Sequence, residues 1–159
     1  MAIRSLVLVI LLVSLACLPV QACFGPKLFV GVGQGGQSDV VFALVTLYVQ
    51  EKTGVESKRV EIEKDQDPLA LLSNEKADLV LILADETLDN TVFNIEGLPL
   101  LATGKRPLED LQFTTVLPAI RKLNRLLKYE DVARLVSRVA AGESAMAVAR
   151  EFFMEHRWI

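Results

Sequence analysis

Three glycines, Gly31, Gly33 and Gly36, stand in G-x-G-x-x-G spacing where an apolar run, Leu28–Val32, gives way to a helix-like stretch. In a dinucleotide site each glycine has a physical reason: one allows a tight turn, one the close approach of the pyrophosphate, and one the packing of helix on strand. Glu61 or Glu63 would then accept from a ribose hydroxyl. Two features count against that reading. Glu61 lies 25 residues beyond Gly36, late for the fingerprint. Ser38 reads as a helix N-cap, which leaves the third glycine outside the helix. Two plainer readings stay open. The glycines form only a strand-to-helix turn, or the loop holds a smaller anion. Backbone N–H groups around Gly35 to Asp39, at a helix start, can take a carboxylate. Asp39 in that first turn complements the helix dipole but repels an incoming anion.

Other chemistry is sparse. His156 is the sole histidine, so neither a histidine triad nor a multi-histidine metal site can form. The acidic residues are scattered without metal-ligand spacing. Ser144, in Gly142-Glu143-Ser144-Ala145-Met146, lacks the second glycine of a nucleophile elbow. We expect no catalytic residue, no metal and no cofactor, and hence a binding or interaction protein rather than an enzyme. The net charge is −3, or −4 without Arg4, and this mild acidity argues against nucleic-acid binding, which requires a basic face.

The N-terminus sets the compartment. Arg4 precedes an apolar run, Ser5–Leu15, which Pro19 breaks before the small-residue site Val20-Gln21-Ala22. Residues 1–22 read as a secretory signal peptide; a membrane anchor is the rival reading. Cleavage after Ala22 leaves Cys23 first, in the context that lipoprotein processing uses, so Cys23 is the expected lipidation site. Soluble release is the alternative. The expected location is periplasmic, either free or held by that lipid. Cys17 and Cys23 are the only cysteines, so the body of the domain, residues 23–159, holds no disulfide.

Strands and helices alternate in that body. Lys27–Gly33 reads as a buried strand. A well-buried helix follows from the Ser38 cap to about Lys52, and Thr53-Gly54 ends it. Val55–Glu63 reads as an edge strand, and Asp65 or Asp67 caps a short helix with Pro68 in its first turn. Ala77–Ala84 is a strand buried on both faces. Beyond it, Leu98–Ala102 reads as a strand, Gly104–Pro107 as a turn, and Phe113–Leu117 as a strand feeding a helix at Pro118. Three apolar helical stripes close the chain: Leu117 to Leu127, Val132 to Val139, and Ala145 to Phe153. The pattern predicts an α/β fold with a mostly parallel sheet of about five strands.

These segments carry a resemblance. Lys27–Glu63, with its Lys52-Thr53-Gly54 turn, and Leu69–Leu83, with Ala77-Asp78-Leu79, follow the order of substrate-binding proteins of glycine betaine/choline-type ABC transporters. Thr114–Ile159 is similar to that family's C-terminus, with Glu130-Asp131-Val132 at one helix start and Val148-Ala149-Arg150-Glu151-Phe152 in the last helix. The resemblance implies a three-layer αβα lobe of a type 2 periplasmic binding protein. Family members insert a second lobe where this chain has only Asp85–Phe113, too short for a core of its own; the chain therefore resembles a truncated, single-lobe member. The implied ligand is a quaternary-ammonium solute. It would be met by Gln34, Gly35, Gly36, Gln37 and Ser38 from the first loop, and by Asp85, Glu86 and Thr87 from the loop after the third strand. The implied partner is an ABC permease. Such solutes need a cage of aromatic rings. Of this chain's rings, Trp158 stands at the end, Tyr48 inside the first helix and Tyr129 at a helix start, while Phe93 and Phe113 are expected in the core, so no cage carries over. Without one, the alternative is a cell-envelope interaction protein whose lobe contacts another protein or a second copy of itself.

Overall fold

The computed structural model describes residues 25–83 and 88–159. The expected signal peptide, Cys23, Asp85, Glu86 and Thr87 lie outside the described residues. β1 (Lys27–Val32), α1 (Gly36–Thr53), β2 (Glu56–Glu61), α2 (Pro68–Ser73), β3 (Leu79–Ile82), β4 (Thr91–Phe93) and β5 (Leu100–Thr103) form the first part. Then come α3 (Arg106–Glu109), a 3-10 turn (Leu111–Phe113), α4 (Val116–Leu126), α5 (Tyr129–Ala140) and α6 (Ala145–Glu155). The fold is α/β. The five strands lie in the order β2-β1-β3-β5-β4. β1 pairs in parallel with β2 and with β3, whereas β5 runs antiparallel to both β3 and β4. The sheet is thus mostly parallel, with one reversed strand.

Side chains alternate across the sheet. Leu79, Leu81 and Leu101 join a large cluster with apolar residues of α1, α4, α5 and α6. Val80, Leu100 and Ala102 join a small one with Ile62, Leu71 and Ala77. A period of two explains the split. The large cluster is built around α1, where an unbroken run of small and apolar side chains, Ala43–Val49, is buried. A helix apolar all round must be covered all round, and α4, α5 and α6 do so. These three follow the predicted stripes.

Local chemistry sets the boundaries. Gly54, at φ 74°, ends α1 and donates its N–H to Gln50 O at 2.9 Å. Asp67 is the cap of α2, its Oδ1 accepting from Leu69 N at 2.9 Å, with Pro68 at the first position. Three expectations fail. Ser38 is no cap: α1 starts at Gly36, Ser38 is buried inside it, and Gly35 at φ 137° makes the break that the cap was expected to make. Phe113–Leu117 is no strand. Phe113 closes the 3-10 turn and α4 begins at Val116; burial of Phe113 and Val116 produces an apolar run that mimics a strand. The turn at Gly104–Pro107 runs directly into α3, with Pro107 in its first turn.

Candidate functional site

The carboxyl ends of β1, β2 and β3 lie together, and the loops leaving β1 and β2 form the candidate site among the described residues. Gln34, Gly35 and Gly36 are exposed. A Cβ built on Gly33, Gly35 or Gly36 would meet nothing within 4 Å. The loop is therefore open to solvent rather than packed. The first backbone bond of α1 runs from Asp39 N to Gly35 O at 3.0 Å. The N–H groups of Gly36, Gln37 and Ser38 are the unpaired donors that every helix start leaves. Beside them a cavity of about 370 Å³ is lined by Gly33, Gln34, Ile62, Glu63, Lys64 and Gln66, among others.

The three glycines divide their work. Gly31 lies inside β1, where an added Cβ would stand 2.8 Å from Val80 Cγ1 and 3.3 Å from Leu71 Cδ1. Its reason is sheet packing. Gly33 is loop, and Gly36 is the first residue of α1. The third glycine thus sits inside the helix after all, and the objection to a dinucleotide that rested on a Ser38 cap falls. Of the two candidate acids, Glu61 is otherwise engaged, while Glu63 lines the cavity beside the loop. Glu61 Oε1 lies 2.6 Å from Arg59 Nε, and Arg59 Nη1 donates to Asp39 Oδ1 at 2.6 Å. Burial disfavours the Arg59 charge, and the two carboxylates more than offset this, raising its pKa. Arg59 also pairs with Asp39, which lessens the repulsion expected toward an anion at the start of α1, although the same cation is shared with Glu61.

The remaining expected residues are spread around this loop and the core. Gln37 Nε2 donates to Gly97 O at 2.9 Å, tying the start of α1 to the β4–β5 loop. Gly97 has φ 81°, and the Tyr129 ring lies against it, 2.9 Å from where a Cβ would stand. Tyr129 is 46% exposed. A half-exposed ring thus stands two contacts from the glycine loop, a placement that sequence reading missed because Tyr129 is 92 residues beyond Gln37. Phe93, Phe113 and Tyr48 are buried to 1% exposure or less, and Trp158 packs on Phe152, Phe153 and His156. His156 is exposed and stacks on Phe152, with ring centroids 4.2 Å apart.

The opposite end of the sheet is organised differently. Asp78, just before β3, is buried. Its carboxylate accepts from Phe29 N at 2.6 Å, from Arg106 Nε at 2.6 Å, and from Arg106 Nη2. Nη2 also donates to Lys27 O at 2.7 Å. The guanidinium lies over the Phe113 ring at 4.8 Å and the Phe29 ring at 5.6 Å. Hydrogen bonding to Asp78 outweighs burial and raises the Arg106 pKa. An acid directly ahead of a buried strand was the one signal available; nothing in the sequence pointed to Arg106 as its partner.

No family model, curated protein or solved structure matches this chain. Among the described residues no group of three or more His, Cys, Asp and Glu side chains could hold a metal ion, and no helix is long and apolar enough to cross a membrane.

Proposed function

We propose that this protein is an exported, single-lobe solute-binding module of three-layer αβα build, serving ABC-type uptake of a betaine-like zwitterion. The observation that carries the reading is the open start of α1. The exposed Gly35-Gly36 turn leaves free space around the start of α1, at the carboxyl ends of parallel strands, where ligands of α/β sheets bind. A solute carboxylate accepts from the N–H groups at the start of α1, with the Asp39 charge partly offset by Arg59. Its quaternary ammonium then lies toward Tyr129, a single ring in place of a cage. One lobe leaves the solute largely wet, so the permease or a second copy supplies the other wall.

Burial of the other rings favours a second reading. With Phe93 and Phe113 committed to the core, the same surface serves a cell-envelope interaction protein that contacts a protein partner and holds no solute. Isothermal titration separates the two. The chain from residue 23, with Cys23→Ser, is titrated with glycine betaine, choline, carnitine and proline betaine up to millimolar. Binding of the carboxylate-bearing solutes but not choline, weakened by Gln34→Ala and Tyr129→Ala, supports solute capture. Silence across the panel sinks it in favour of the protein partner.

A further inference from the structure

The segment that follows β5 presents a pair of leucines to solvent at the amino end of β1. Along residues 106–113 the inward positions are Pro107 and Phe113, both buried. Leu108 is 58% exposed and Leu111 84%. Single exposed leucines are ordinary, but this pair is held in place from three sides. Arg106 binds Asp78 and the Lys27 carbonyl, Asp110 Oδ1 accepts from Gln112 N at 2.9 Å, and Phe113 is fixed under the guanidinium. The segment is rigid and its apolar tips point away from the core.

What covers them is indicated by where the chain goes. Arg106 touches Lys27, the first residue of β1. Only four residues upstream stands Cys23, and upstream of that lies the apolar run of the first 20 residues. Four residues span at most roughly 14 Å. Anything that holds the N-terminal segment in a bilayer, as a lipid on Cys23 or as the apolar run itself, brings the amino end of the sheet to the membrane surface. The charges there are mixed, with Lys105 and Arg106 beside Glu109 and Asp110, so attraction to anionic headgroups does not drive the contact.

We propose that Leu108 and Leu111 form a second, apolar foothold that seats the amino end of the sheet on the bilayer to which the N-terminus is tethered. This rests on the membrane-tethered form of the reading above, not on solute binding. A tethered domain needs little intrinsic affinity, because the tether sets a high local concentration. Seated this way, the glycine loop at the opposite end of the strands faces away from that membrane, so a second copy, rather than a permease of the same membrane, supplies its other wall.

The test uses the full chain on neutral phosphatidylcholine vesicles. Trp158, the sole tryptophan, is removed by Trp158→Phe, and a tryptophan is introduced by Leu111→Trp, by Leu108→Trp or, as the control, by Leu83→Trp. Leu83 is 74% exposed and follows β3 at the opposite end. Circular dichroism confirms that each variant is folded. Sedimentation with vesicles reports the tether, and quenching by brominated phosphatidylcholine reports the foothold. The expected result is severalfold stronger quenching at positions 108 and 111 than at 83, with a blue-shifted emission. Equal quenching at all three positions, or none at 111 on sedimented chain, overturns the proposal. A blue shift without quenching, growing with protein concentration, also overturns it and assigns the leucines to a second copy. Failure to sediment removes the tether and the proposal with it, while leaving the solute titration to be judged separately.

Discussion

The two ends of the sheet solve opposite problems. At the amino end, Asp78 and Arg106 satisfy each other, the Phe29 amide and the Lys27 carbonyl, and two rings flank the guanidinium. At the carboxyl end, glycines leave backbone donors unpaired and space unfilled around them. The first arrangement commits its polar groups to cohesion between β1, β3 and α3. The second leaves them available to something else. Open backbone donors and unfilled space are what a ligand-side loop needs, and the contrast between the ends is the physical ground on which the glycine loop is the candidate site.

The largest test breaks the cohesive end. Asp78→Ala leaves the Arg106 guanidinium and the Phe29 N–H without their acceptor. We expect a loss of about 3 kcal/mol, at the low end for a broken buried pair, because the Arg106 side chain keeps 43% exposure. A urea midpoint within error of the parent would remove the contrast between the ends.

The next test sharpens it within one motif. Gly31→Ala drives a Cβ into Val80 and should cost about 2 kcal/mol through overpacking. Gly33→Ala meets open space and should change stability by less than about 0.5 kcal/mol. Thermal unfolding of the two variants side by side reads the difference; equal losses would mean that the loop is as packed as the strand.

That pair also shows what was legible in the sequence. β1, β3 and the three C-terminal helices could be read because their apolar spacing follows from burial on one stripe or on both faces of a sheet. Ser38 misled because its side chain is of capping type, while the chain break itself came from Gly35, whose φ no spacing reveals. β4 is three residues long and carries no period to detect. The reversal of β5 depends on how residues 83–99 cross the sheet, which composition does not encode. Asp78 and Arg106 are 28 positions apart, and Gln37, Gly97 and Tyr129 meet only through the fold, so neither the buried ion pair nor the placement of Tyr129 near the glycine loop was within reach.

Smaller effects are expected on the open side. Gln37→Ala loses one exposed hydrogen bond to Gly97 and should cost about 0.5 kcal/mol by chemical denaturation; a loss several times larger would show that the loop shares load with the core. The smallest effect lies on the surface between α5 and α6. Arg138, hydrogen-bonded to Glu143, holds the Glu143 carboxyl below its ordinary range. Since the folded value is the depressed one, the stabilisation is present above the unfolded carboxylate pKa of about 4.3 and is lost as pH falls through the folded value. An NMR titration of Glu143 should return to the ordinary range in Arg138→Ala.

The helix at the centre of the large cluster has a consequence for the order of events in synthesis. α1 is made early, yet the surfaces that cover it belong to α4, α5 and α6, the last of which ends at Glu155. Until those residues emerge, Val40–Val49 can be covered only on the side that faces the sheet, and the rest of its apolar surface stays open to water. The large cluster therefore closes only when the C-terminal helices are complete, and the apolar surface of α1 that they cover requires protection from aggregation during that interval.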